Sequence, residues 1–157
     1  MGVALYVALE REIDGLDSFM GGKALANAPV DDTEESNLAD VARNLGVKPL
    51  HEFHSADPEQ IIGFMFDGDP ADAPENIRRM APAIEWFPAS EGLATARALL
   101  DYLQTNPNFI PTSEKDRIRY APGWNLQEGV EIDLQDIVRI LEQAKAEGVR
   151  WYLGIDC

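Results

Sequence analysis

Two short apolar segments near opposite ends of the chain, VALYVAL (Val3–Leu9) and VRWYLGI (Val149–Ile155), constrain the fold more than anything between them. Both are rich in Val, Tyr, Trp and Leu and are apolar on nearly both faces, as a strand inside a sheet must be. Strands of this kind bury themselves by pairing, so the two are expected to be neighbours in one central sheet.

Three stretches between them carry helical spacing. In DDTEESNLADVARNLG, Asp32 reads as the cap with Glu35 three positions on, and Leu38, Val41, Ala42 and Leu45 form one stripe ending at Gly46, which predicts a helix over 33–45. Ser90 opens SEGLATARALLDYLQ, with Leu93, Ala96, Leu100 and Leu103 on one side, a helix over 90–104. Asp133 reads as the cap of LQDIVRILEQAKAEG, where Leu134, Ile137, Val138, Leu141 and Ala144 recur until Gly148, a helix over 133–147.

The weaker signals lie between these helices. Residues 11–32 read as irregular, broken by Gly21-Gly22 and Pro29. Asp57, Pro58 and Gln60 mark a short helix start, although Ile61–Phe66 also fits a buried strand. DGDPADAPEN is a loop, Pro74–Ala81 fits two further turns, and Ala83–Phe87 fits a short strand. Arg117–Tyr120 and Gly129–Ile132 fit a hairpin around Pro122-Gly123. The sum is an α+β (mixed α/β) single domain over 1–157, with a central sheet containing both terminal strands packed by three main helices. A length of 157 residues with 45% hydrophobic side chains suits one such core.

Charge narrows the functional classes. Thirteen basic residues against 28 acidic ones give a net charge of −15, and from Glu52 to Glu75 there are seven acids and no base. A field of that sign disfavours nucleic acid and anionic lipid and permits a basic protein partner. No apolar run approaches the ~20 residues that span a bilayer. The N-terminal segment lacks the basic start and cleavage site of a signal peptide, and position 6 holds Tyr6 where myristoylation wants Ser or Thr. One cysteine, Cys157, allows no intrachain disulfide, so a reducing cytoplasm of bacterial style is expected.

Both histidines fall in PLHEFHSADPEQ, as His51 and His54. Zinc proteases place their histidines four apart on a helix; here they are three apart, with no third histidine, so zinc would need Glu52, Asp57 or a distant carboxylate. No metal is expected. For acid–base catalysis the candidate residues are His51 and His54, with Asp57 or Glu52 as the orienting carboxylate. Ser55 lacks the G-x-S-x-G elbow of a nucleophile. A calcium loop begun at Asp67 fails at Ala71, Asp72 and Arg78, which stand where ligands and the turn glycine belong. A phosphate loop ending in Gly22-Lys23 fails at Asp17 and Ala24, so no cofactor is expected.

Two segments are candidates for partner binding. One is the acidic loop with Asp67, Asp69 and Asp72. The other is SEKDRIRYAPGWN, where Lys115, Arg117 and Arg119 alternate as on one face of a strand, near Tyr120 and Trp124. The resulting expectation is a non-catalytic, acidic, soluble protein-binding module, inhibitor-like or immunity-like, for a basic partner. The alternative is a small enzyme or metal-dependent hydrolase using His51 and His54 with nearby carboxylates.

Overall fold

The computed structural model describes residues 3–28, 37–119 and 122–156, apart from the side chains of Asp116, Ile118 and Arg119. Strands β1 (Ala4–Leu9) and β2 (Trp151–Asp156) pair antiparallel, from Ala4 opposite Asp156 to Leu9 opposite Trp151. Alternation along this ladder turns Leu5, Val7, Trp151 and Leu153 to one face, and all four are buried in the main core. The opposite face carries Tyr6 and Tyr152, with the Trp86 ring 5.2 Å from that of Tyr152.

Two strands alone are marginal in water, and the helices supply what they lack. Helix α1 covers Lys23–Asn27, α2 Leu38–Asn44, α3 Pro58–Met65, α4 Glu75–Arg78, α5 Ala89–Thr105, α6 Glu114–Arg119 and α7 Leu126–Glu147. Short 3-10 turns lie at Leu50–Phe53 and Pro70–Asp72. The frame is α5 packed along α7. Leu93, Ala96, Leu99 and Leu103 of α5 meet Val130, Leu134, Ile137 and Leu141 of α7 in one buried cluster, each set recurring at three or four residues. Trp151 of β2 packs closely on α5 because residue 92 is glycine: a Cβ there would stand 2.1 Å from the indole.

Several expectations need correction. Arg117–Tyr120 and Gly129–Ile132 do not form a hairpin. Arg117 and Arg119 belong to α6, Gly129–Ile132 to the second turn of α7, and Tyr120 lies outside the described residues. The apolar series Leu126, Val130, Leu134, Ile137 is continuous at helical spacing, and Asn125 caps it by accepting a hydrogen bond from the Glu128 N–H at 3.2 Å. Gly129 sits inside this helix because Ala24 of α1 presses against it, 2.7 Å from where a Cβ would be. On α6, positions two apart point to different sides, so Arg117 does not share a face with Lys115.

Asp133 is therefore not a cap of its own helix. It lies inside α7, buried, and its two oxygens accept the N–H groups of Gly22 (3.1 Å) and Leu25 (3.0 Å). It caps α1 from across the fold, within a stretch expected to be irregular. The cap of α2 is Asn37, whose side chain accepts from the Asp40 N–H at 2.8 Å, and Leu45 lies past the helix end, 46% exposed. Asp32, the expected cap, lies outside the described residues. Ala83–Phe87 is not a strand: only Phe87 bridges β2, exchanging both backbone hydrogen bonds with Trp151, and Pro82 and Pro88 bracket the segment. The Ile61–Phe66 ambiguity resolves as helix, with Asp57 as its cap.

Candidate functional site

The histidine segment is held by its apolar neighbours. Leu50 and Phe53 are fully buried, and the Phe53 ring sits 5.0 Å from that of Trp151 and 5.3 Å from that of Phe87. The Lys48 ammonium lies 4.4 Å from the Phe87 ring centre and 4.9 Å from that of Phe53, a cation–π contact that closes the cluster. These anchors fix the backbone of His51 and His54 while leaving the imidazoles apart in role.

His54 clamps the outer edge of β2. Its Nδ1 lies 3.0 Å from the Leu153 carbonyl oxygen, which also accepts the Ser55 N–H at 3.2 Å. A carbonyl only accepts, so Nδ1 is the donor in this hydrogen bond. His51 is half-buried, and its Nδ1 is buried without a hydrogen-bond partner among the described residues. The Asp57 carboxylate accepts the Glu59 N–H at 2.9 Å at the start of α3, so it is used as a cap. The Ser55 hydroxyl accepts the Glu85 N–H at 3.0 Å. Among the described residues, no group of three or more His, Cys, Asp or Glu side chains is arranged to hold a metal ion.

The acidic segment forms a small outlying unit of α3, the Pro70–Asp72 turn and α4, which contact one another. Its buried apolar residues are Ile62 and Ala73, and neither belongs to the main core cluster. Asp67, Asp69 and Asp72 are all exposed. Asp69 caps the turn through the Ala71 N–H at 2.9 Å, whereas Asp67 and Asp72 form no side-chain hydrogen bond or ion pair with another described residue. Glu75 pairs with Arg79 at 2.9 Å on an exposed helix face, where such a pair contributes little.

The unit and the end of β2 also show apolar surface that sequence reasoning missed. Phe64 is 83% exposed and Met80 67%, and Met65 and Ile155 are also exposed. Met65 belongs to α3, and Ile155 to the end of β2. The signal was present in α3, where IIGFM is apolar at successive positions and one helix face cannot bury them all. Of the second candidate segment, Arg117 is exposed on α6 and Trp124 packs partly buried against the main core. The side chain of Arg119 lies outside the described residues, as does Tyr120.

Burial pushes the Tyr152 hydroxyl up to about 12, assisted by the nearby Tyr6 and, more weakly, Asp57. Burial likewise raises the Asp133 carboxyl, against the pull of the backbone N–H groups that it accepts. Tyr152 belongs to the sheet and Asp133 to α7, from which it caps α1, and neither is hydrogen-bonded to His51 or His54. Among the described residues, no helix is long and apolar enough to cross a membrane. No family model, curated protein or solved structure matches this chain.

Proposed function

We propose that the chain is a non-catalytic protein-binding module, inhibitor-like or immunity-like, whose partner is a basic protein in a reducing cytoplasm. The observation that carries this reading is Phe64, 83% exposed on α3, the helix that leads in sequence into the exposed Asp67, Asp69 and Asp72. An aromatic side chain left in water beside unneutralised charge suits a surface with an apolar anchor and a rim of lysine or arginine. The net charge of −15 acts in the same direction at longer range and opposes nucleic acid and anionic membranes. The hydrolase alternative draws no support from His54 or Asp57, since both side chains are engaged with backbone groups.

The test is kinetic and uses a partner captured from native lysate. Asp67/Asp69/Asp72→Asn should slow association and flatten its salt dependence while changing dissociation less, because steering acts on encounter. Phe64→Ala should do the reverse, speeding dissociation. The steering should fade towards ~0.15 M salt, where exposed charges more than ~8 Å apart are largely screened. An association rate indifferent both to salt from low ionic strength upwards and to the triple substitution would sink the proposal.

A further inference from the structure

A cleft of about 240 Å³ opens between α3 and the end of β2, lined by Gln60, Gly63, Phe64, Ile155 and Asp156. It is smaller than the ~300–1,000 Å³ of small-molecule sites and of a size for one long side chain. We propose that it binds an arginine side chain of the basic partner. This inference rests on the protein-binding reading above and names the chemistry of one contact within it.

Three observations converge. The walls are apolar and unusually exposed, Phe64 at 83% and Ile155 at 42%, and Phe64 offers a ring face to a cation. The polar groups are a carboxylate, Asp156, and an amide, Gln60, and neither side chain has a hydrogen bond or ion pair to another described residue. The third is Gly63. A glycine inside a helix is destabilising relative to alanine, and here neither common reason for one applies. Gly63 lies in ordinary helical backbone, and a Cβ built on it would meet nothing within 4 Å. What the missing side chain does is keep the cleft open.

The lining also selects the occupant. An anion would face Asp156 and the −15 of the whole chain, and a second copy of the chain would bring the same charge with it. Lysine satisfies the carboxylate as a point charge. Arginine satisfies it with a fork of donors while its flat guanidinium lies on the Phe64 ring and a further N–H reaches the Gln60 carbonyl oxygen.

The experiment is an NMR titration of the full chain with a blocked Gly-Arg-Gly peptide and its lysine and citrulline counterparts, followed at the backbone amides of Gly63, Phe64 and Asp156. Saturable shifts are expected with arginine, at least several-fold weaker with lysine and lost with citrulline, which keeps the shape without the charge. Asp156→Asn and Phe64→Ala should each weaken binding several-fold. Gly63→Leu should abolish it with a melting temperature no lower than that of the parent chain. Equal shifts with citrulline, or undiminished binding by a folded Gly63→Leu, would overturn the cleft. Shifts confined to residues 67–72 would overturn it too while leaving the basic-partner reading in place. Silence at both regions at low salt would count against both.

Discussion

Asp133 and Gly22, 111 positions apart, are joined by a 3.1 Å hydrogen bond from the Gly22 N–H to the Asp133 carboxylate, and the second oxygen of that carboxylate takes the Leu25 N–H. One side chain of α7 thus satisfies donors at the start of α1 that the short helix cannot satisfy itself. Asp133→Asn keeps one acceptor oxygen and loses the other, so it should cost about 0.5–2 kcal/mol, the range for a lost cap. Titration gives a second readout. Burial raises the native carboxyl above its ordinary 3.8, so between those values the native chain holds a proton that the unfolded chain has released. Stability from this residue therefore falls as pH rises through that window. Denaturant melts at a series of pH values should show a steeper fall for the parent chain than for Asp133→Asn. Parallel profiles would refute the assignment.

Tyr152 makes the corresponding prediction on the alkaline side. Its native value is pushed up to about 12 by burial and by Tyr6, against 10.0 for an ordinary tyrosine. Between those values the unfolded chain ionises and the native chain does not, so stability should drop as pH rises from 10 towards 12. In Tyr152→Phe that part of the alkaline loss should disappear. Tyrosinate absorbance of the folded protein at pH 11 provides a direct check, since Tyr152 should still be neutral there.

Stability should also be uneven along the chain. Leu141 is fully buried between α5 and α7, and Leu141→Ala should cost about 2–5 kcal/mol. In the outlying unit Ile62 and Ala73 are the buried apolar residues, so α3 has little to hold it against local opening. Hydrogen exchange should show the amides of Ile61–Phe66 exchanging at a lower opening free energy than those of α5 and α7. Equal protection in the three helices would mean that α3 belongs to the main cooperative unit.

Where the sequence reading succeeded, a strong local pattern and its tertiary use coincided. The apolar segments at both ends pair with each other, and α5 and the later half of α7 bury Leu93, Leu103, Leu134, Ile137 and Leu141 as their spacing predicts. Leu100 and Val138, by contrast, are only half-buried, and Leu99 and Ile140 take the core positions beside them. The misreading of Gly129–Ile132 came from a conflict between levels. EGVEI has the β-branched content of a strand and Asp133 the chemistry of a cap, yet packing on Ala24 and the need to cap α1 place all of it inside one helix. Acidity at Asp67, Asp69 and Asp72 was legible because exposure of clustered charge follows from solvation alone. The cleft was not legible: it exists only because Gly63 and Phe64 come to lie beside Ile155 and Asp156, residues far away in the chain.

That β1, among the described residues, pairs with β2 alone also bears on the order of events. The helices α5 and α7 lie close enough in sequence to dock early, but the strand at Ala4–Leu9 must wait for Trp151–Asp156 before its ladder exists. Closing so long a loop adds entropy cost slowly with length, yet a chain leaving the ribosome cannot begin to close it until Trp151–Asp156 has emerged. Until then Leu5 and Val7 lack the strand they pair with, and the Trp151 indole cannot yet reach Gly92. The protein's sheet is thus expected to close as a seam over the helical frame, after α5 and α7 have docked.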